Sequence, residues 1–518
     1  MLRLAALMLI LMGIAPASGR ELVVSDKAED VMLTVYRDPE RTDTPIDRHW
    51  PSGYALITET RNIAIPAGES LIRFEGVAEG MLPESAIVTG LPAGVREKNR
   101  DARLLSPAGL VDAYLRREVT ITRTNKATGK SSIQSAMITA GPAGGVILRT
   151  ATGYEALHCT GLPERMGYDS VPQNLSARPT LSVLTSAKQP VTAKVTLTYM
   201  AAGFDWQANY IWRNLSPPSD GQATASLFAW LTIANGGDQS FAHARLMAIA
   251  GRPNREAHAE QPRPTGEALH LQCWPDQRTH QVPYRQPSGN YGGMPVPPPP
   301  MMAAPALPES IMVTARESRA MLADVATAMI AEQEDLGDLK LYRIPERVTV
   351  NAKGQKQIAL MGKDKVRYRR VYRGAFGQEG PLRWTLLTEN KSANGLGLPL
   401  PQGAVAIFEP GFAGPLLAGE STLTDVAVGE ELEIEGGASA GVRLAMQTTD
   451  KSNPRRTRLT VSNARTVAVD AEITIPYALK REPAGVAKIR GVPTWKVTVP
   501  AGGKAEIEIE PKRGETAR

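Results

Sequence analysis

Hydrophobic and polar residues alternate along most of this chain with a period of two, the pattern typical of β-strands. In residues 191–199, valine, leucine and tyrosine alternate with threonine and lysine. In residues 225–234, small and aliphatic residues face one side, whereas Phe228 and Trp230 share the other side with serine and threonine. Both segments predict strands with one buried face.

Short turns rich in proline and glycine separate these strands. The sequences PAGE at residues 66–69 and PAGG at residues 500–503 each lie between two alternating segments. Proline presets the φ angle of a turn, and glycine accepts positive φ at little steric cost. Both segments therefore predict β-hairpins.

Helical patterns are few. Residues 107–115 predict a short helix, because Ser106 can cap its N-terminus and Pro107 suits its first position. Residues 318–337 predict an amphipathic helix with an apolar face that includes Met321 and Met329, and Gly337 would end it.

Strands without long intervening helices predict an all-β protein with a multidomain β-sandwich architecture. The 518 residues exceed what one ordinary core accommodates. Residues 256–317 predict a flexible linker, since the stretch 281–308 alone contains nine prolines. The predicted divisions are a signal peptide (1–19), an N-terminal β domain (20–180), the first part of a β-sandwich domain (181–255), the linker (256–317), the amphipathic helix (318–337) and one or more C-terminal β domains (338–518).

The first residues indicate export. Arg3 precedes the apolar run 4–12, and small residues at 15–19 suit signal peptidase. We therefore expect a cleaved signal peptide and a periplasmic or secreted protein, with association with the outer membrane left open. No later apolar stretch is long enough for a membrane helix, so we expect no transmembrane segment after cleavage.

Charge argues against nucleic acid as a partner. The chain has 59 Lys and Arg and 53 Asp and Glu residues, and the two signs are interspersed along it. A mixed distribution indicates a solvated surface, whereas nucleic-acid binding needs a basic patch or stripe. The two cysteines, Cys159 and Cys273, predict a disulfide in an oxidising compartment, with two unpaired thiols as the alternative.

No motif points to a catalytic residue, metal or cofactor. Residues 437–441 match G-x-S-x-G, but strand patterns flank them on both sides, which predicts a β-hairpin turn rather than a nucleophile elbow. His258, His270 and His280 lie near Cys273, but their spacing fits no closed zinc motif.

One segment after the proline-rich stretch suggests a partner. It resembles the TonB box of outer-membrane receptors, which adds a strand to the periplasmic TonB domain. The alternative is a short strand leading into the next domain. The residues of this TonB-box-like segment are Glu309, Ser310, Ile311, Met312, Val313, Thr314 and Ala315.

Several segments together resemble a family of exported bacterial proteins with a C-terminal β-rich domain of unknown function and mucoidy-inhibitor-like relatives. The matching segments are residues 54–61, 66–68, 82–86, 105–110, 203–210, 341–346, 396–401 and 404–409. The resemblance implies an envelope β-protein and carries over no catalytic residues. Those relatives often have a coiled coil between their halves, where this chain has its proline-rich stretch.

The function expected from these observations is a non-catalytic interaction or structural module of the cell envelope. One alternative is an envelope hydrolase that acts on glycan or peptide, for which a pocket with convergent carboxylates is required. The other is a carbohydrate- or lipid-binding protein, which aromatic residues on one exposed face would indicate.

Overall fold

The structure of the protein is a computed structural model. It describes residues 20–41, 44–101, 105–125, 127–141, 145–157, 165–172, 175–215, 223–251, 253, 331–337, 339–412, 414–450, 456–510 and 512. Within them the chain forms strands β1 to β29, one α-helix and 3-10 turns at Pro83–Ser85 and Ser392–Asn394. The prediction of an all-β fold is confirmed.

The elements follow in chain order. The first strands are β1 (Glu21–Ser25), β2 (Asp30–Tyr36), β3 (Tyr54–Ile65), β4 (Gly68–Glu75), β5 (Ile87–Thr89) and β6 (Glu97–Asp101). Next come α1 (Pro107–Ala113), β7 (Glu118–Thr124), β8 (Ser131–Ala140), β9 (Ile147–Thr150), β10 (Gly153–Ala156) and β11 (Arg165–Gly167). The middle strands are β12 (Thr180–Ala187), β13 (Val191–Ala202), β14 (Phe204–Asn214), β15 (Ala223–Asn235) and β16 (Phe241–Ala250).

The second half of the chain supplies the remaining strands. They begin with β17 (Glu332–Leu336), β18 (Leu339–Arg343), β19 (Val348–Val350), β20 (Gly354–Ala375), β21 (Gly380–Glu389), β22 (Gly403–Gly411), β23 (Gly414–Leu423) and β24 (Glu431–Asp450). The last strands are β25 (Arg456–Asn463), β26 (Val469–Thr474), β27 (Val486–Ile489), β28 (Val492–Val499) and β29 (Lys504–Ile509).

Three hydrophobic cores organise these strands. The central core combines strands from residues 20–101, 175–251 and 331–437, including the fully buried Trp206 and Trp212. A small core built on α1 and β7 to β11 is inserted between β6 and β12. A C-terminal core lies between β20 to β21 and β24 to β29. The 22-residue strand β20 joins the central core to the C-terminal core. Its first part pairs with β15, and its last part pairs with β21 and β26.

The predicted helix at 107–115 is confirmed in its main features. Helix α1 spans Pro107–Ala113, and the Ser106 hydroxyl accepts a hydrogen bond from the Gly109 amide at 2.9 Å. An N-cap serine satisfies an amide at the helix start that has no partner within the helix.

Three sequence-based predictions need correction. Residues 332–336 of the predicted helix 318–337 form strand β17, because they pair with β18. Residues 437–441 are no hairpin turn, since β24 runs through them with shifts of register. The boundary at 180 falls inside a sheet: β12 pairs with β4, and β13 pairs with β3, across it.

The predicted hairpins at 66–69 and 500–503 are wrong in their pairing, although both turns exist. Strands β3 and β4 belong to different sheets, and β28 and β29 pair with β26 and β25 instead of with each other. Each turn therefore forms an arch between two strands that are not hydrogen-bonded to each other. The arch at 66–69 joins two different sheets, and the arch at 500–503 joins two strands of one sheet. Alternation reveals which side of a strand is buried but not which strand is its neighbour.

A buried asparagine side chain donates to the backbone of each of three such arches. The Asn390 side chain donates to the carbonyls of Val426 and Ala427, and the Asn463 side chain donates to those of Val499 and Pro500. Each asparagine lies 36 residues before the first of its two arch carbonyls. This geometry identifies two successive copies of one structural unit.

Asn235 forms the third copy. Its side-chain amide donates to the carbonyl of Asn351, 116 residues later, and its side-chain oxygen accepts from Gly237. The stretch between Ala250 and Glu332 accounts for the longer separation. The long segment that includes the proline-rich stretch is therefore an insertion into one of three equivalent units.

Candidate functional site

Most residues singled out from the sequence lie outside the described part of the chain. This applies to the signal peptide, to Cys159 and Cys273, and to the TonB-box-like segment 309–315. The disulfide, the export signal and the TonB contact stay predictions. Ser439 of the G-x-S-x-G match lies within β24 with little solvent exposure. Its surroundings lack the strand-turn-helix geometry of a nucleophile elbow.

Buried carboxylates serve the architecture. Glu59 accepts hydrogen bonds from Arg61 at 2.6 Å and from the Tyr199 hydroxyl at 2.8 Å, and both ionic side chains are 2% exposed. Arg61 also donates to the Ser25 and Glu75 carbonyls at 2.6 and 2.9 Å. Burial raises the pKa of Tyr199 well above its ordinary value. Glu59 and Arg61 are therefore fully engaged within the fold. They link the sheet of β3 to the sheet of β1 and β4.

A second buried pair joins β14 to the loop after β2. The Arg41 guanidinium lies 2.9 Å from the Asp205 carboxylate, which also accepts from the amides of Asp38 and Trp206. Burial raises the pKa of Asp205, and Arg41 acts in the opposite direction. With several donors around one carboxylate, this group is a structural clamp rather than a poised acid or base.

Neither a metal site nor a membrane helix is found in the described ranges. No group of three or more His, Cys, Asp or Glu side chains among them could hold a metal ion. None of the helices among these same residues combines the length and the apolar composition that crossing a membrane requires.

An uncovered sheet face carries the first candidate binding feature. Neighbouring strands align Thr422, Ala404, Asn209 and Trp230 in one row across β23, β22, β14 and β15. A second row consists of Glu420, Ala406, Ile211 and Phe228. The alanines form a low floor between larger side chains, and the resulting trough has a volume of about 500 Å³. A trough of this size is in the range of small-ligand sites.

The β22–β23 hairpin carries the second feature. Residues 410–419 read PGFAGPLLAG and contain no charged residue. Phe412 is fully exposed, and Leu416 and Leu417 are 64% and 56% exposed. Next to the apolar tip, Arg370 forms an ion pair with Glu409, the cross-strand partner of Leu416, and lies 4.9 Å over the Trp384 ring. These contacts fix the strands from which the tip projects.

Comparison with known proteins identified no relative of this chain. No protein-family model matches the chain, and neither a curated protein nor a solved structure matches it. The resemblance to mucoidy-inhibitor-like proteins therefore stays a prediction.

The sequence-based predictions did not include the hairpin. Of the residues in the two rows of the trough, they included only Phe228 and Trp230. The signal for the hairpin is the uncharged ten-residue run 410–419 between two alternating segments. The alternation in β15 does place Phe228 and Trp230 on the polar side of their strand. It cannot show that Ala404 and Asn209 lie in the same row, because β14 and β22 are far apart in sequence.

The TonB hypothesis can be tested directly. If residues 309–316 form a docking strand, deleting them should abolish recovery of TonB or a similar periplasmic domain in affinity purification from the native envelope. Deleting residues 283–290 of the proline-rich stretch removes the same length and should leave recovery unchanged. Equal recovery with both deletions contradicts the hypothesis.

Proposed function

We propose that this protein is a non-catalytic interaction protein of the cell envelope that attaches to a lipid surface through the β22–β23 hairpin. The observation that carries the proposal is the uncharged tip with Phe412, Leu416 and Leu417 exposed to solvent. Solvated surfaces tolerate scattered apolar residues, but a contiguous apolar projection indicates a contact surface.

The distribution of apolar residues favours lipid over a protein groove. Successive side chains of a strand point to opposite faces, so Leu416 and Leu417 cover both sides of the hairpin. A flat protein surface covers one side only, whereas the boundary of a bilayer surrounds an inserted tip. Cross-strand pairing continues to Gly411 and Gly414, which keeps the backbone groups between the strands satisfied at the tip.

The free energy of burying the three apolar side chains and the absence of charge at the tip determine how the hairpin should bind to lipid. Burying a Phe or Leu side chain contributes about 1.5–3 kcal/mol each, so three of them suffice for reversible attachment. The tip has no Lys or Arg, and attraction to anionic lipids therefore has no local source. We expect the attachment to depend little on ionic strength.

The envelope location in this proposal rests on the N-terminal pattern of Arg3 and the apolar run 4–12. The non-catalytic part is supported by the arginine pairing of Glu59 and Asp205. An exported protein with an apolar hairpin and a TonB-box-like segment has two places for envelope contacts.

Replacing Phe412, Leu416 and Leu417 together with serine should abolish flotation with vesicles of zwitterionic phosphatidylethanolamine and phosphatidylcholine. The wild type should float with these vesicles at both low and high salt. The matched control replaces Ile87, Ile133 and Tyr154 with serine, since these apolar side chains are 61%, 73% and 69% exposed elsewhere. It should float like the wild type.

Two outcomes count against lipid attachment. One is wild-type protein that stays unbound at every lipid concentration. The other is capture of an envelope protein by the wild type but not by the hairpin variant, without flotation of either, which would make the hairpin a protein-docking element.

A further inference from the structure

The trough on the outer sheet face has a chemistry of its own, independent of the hairpin tip. Its floor is made by Ala404 and Ala406, and Trp230 and Ile211 stand beside them. Strands β14 and β22 lie inside the sheet, so their backbone groups are engaged on both edges. A peptide binding by strand addition would need an unpaired edge, which the middle of this face does not offer.

Asn209 is oriented by its neighbours. Its side-chain oxygen accepts from the Thr232 hydroxyl at 2.6 Å and from the Gln207 amide at 3.4 Å. Gln357 donates to the same Thr232 hydroxyl at 3.2 Å, which extends the polar row to β20. The Asn209 amide nitrogen has no hydrogen-bond partner among the described residues. It is therefore a hydrogen-bond donor that faces the trough in a fixed orientation.

Trp230 is also held in place. Its ring meets Phe228 edge to face, with centroids 4.9 Å apart and an angle of 79° between planes. The indole N–H has no acceptor within the described chain and is therefore available to a ligand. A fixed aromatic ring with one polar atom suits ligands that have both an apolar face and hydroxyl groups.

The charge of the side chains that line the trough restricts the class of ligand that it can bind. Glu420 is the one charged side chain that lines the trough, and it forms no ion pair with any described residue. Phosphates, nucleic acids and anionic sugars require cationic partners, which this lining does not supply. Glu420 and Thr422 instead add hydrogen-bonding groups opposite Trp230.

We infer that this trough binds an uncharged oligosaccharide, with or without N-acetyl groups. The C–H face of a sugar ring packs on the Trp230 indole, and its hydroxyl groups hydrogen-bond to Asn209, Glu420 and Thr422. The alanine floor gives the ring room between β23 and β15. A sheet face with one aromatic platform and several polar atoms that can still form hydrogen bonds thereby recognises glycan without the deep pocket that catalysis needs.

The test is isothermal titration calorimetry of the full chain with chitotetraose, cellotetraose, maltotetraose and mannotetraose, and with tetragalacturonate as the anionic comparison. We expect saturable binding of at least one neutral or N-acetylated tetrasaccharide and none of tetragalacturonate. Trp230→Ala should weaken that binding at least tenfold. Ala404→Phe should weaken it as much by filling the trough, and it removes no existing contact.

The controls separate this inference from the proposed lipid attachment. The triple serine variant of Phe412, Leu416 and Leu417 should bind the tetrasaccharide like the wild type, and Ala404→Phe should still float with vesicles. The inference is overturned by absence of binding to all four neutral sugars, by equal binding of tetragalacturonate, or by binding that neither Trp230→Ala nor Ala404→Phe weakens.

Discussion

Replacing Arg61 with alanine should destabilise the central core by about 3–5 kcal/mol, the usual effect of removing one partner of a buried ion pair. The change leaves the Glu59 carboxylate, 2% exposed, without its cationic partner. It also removes the donors to the Ser25 and Glu75 carbonyls. Those carbonyls belong to β1 and β4, whereas Arg61 and Glu59 belong to β3, so the loss falls on the contact between two sheets.

The measurement is urea unfolding combined with hydrogen exchange of the central strands. Arg245→Ala is the matched control, because Arg245 pairs with Asp30 at the surface of the same sheet and is 51% exposed. Exposed pairs contribute about 0–1 kcal/mol, so this control should change little. Similar effects of the two substitutions would contradict the role assigned to Arg61.

The buried pair also predicts a rescue. Replacing Glu59 and Arg61 together with leucine and methionine should restore much of the lost stability, because no unpaired charge then remains inside. Tyr199 would keep its hydrogen bond from the Ala78 amide at 3.0 Å. A double variant as unstable as Arg61→Ala would instead indicate that packing, and not charge, explains the loss.

Asn463→Ala should destabilise the C-terminal core by roughly 3 kcal/mol, since each buried polar group left without a partner costs about 1–3 kcal/mol. Its side chain donates to the carbonyls of Val467, Val499 and Pro500 and accepts from the Arg465 amide. Water cannot replace these bonds easily, because Asn463 is 2% exposed. Loss of the side chain releases the arch between β28 and β29.

Hydrogen exchange should locate this effect. Amides of β25, β28 and β29 should lose protection, whereas those of β3 and β13 in the central core should keep it. Asn394→Ala is the matched control, because the Asn394 amide makes one bond, to the Glu389 carbonyl at an exposed position. It should change stability by less than about 0.5 kcal/mol. Uniform loss of protection across both cores would show that the arch is not a local device.

The three arches explain why the chain can carry its long insertion. Asn235 and Asn463 are the last residues of β15 and β25, Asn390 directly follows β21, and each side chain donates to a carbonyl of a later arch. In the first unit the ends of the insertion, at Ala250 and Glu332, belong to neighbouring parts of one sheet, since β16 and β17 both pair with β18. Loop-closure entropy grows slowly with length, so a long insertion between adjacent ends costs little stability.

The sequence by itself determined which residues face inward. Period-two alternation placed Leu197 and Tyr199 on the buried face of their strand, where both are 0% exposed, and placed Trp230 on the polar side of its own strand. Ser106 and Pro107 identified the start of α1. These features are local, because the side a residue faces and the cap of a helix depend on immediate neighbours.

Only the tertiary structure decided which strands are neighbours. Pairing put Asn209 beside Ala404, turned the expected hairpins at 66–69 and 500–503 into arches, and made 332–336 a strand. It also showed that Asn390 and Asn463 act on carbonyls 36 residues away. Hydrogen-bond ladders join residues distant in sequence, and their partners leave no trace in local periodicity. For that reason the trough emerged from the fold alone.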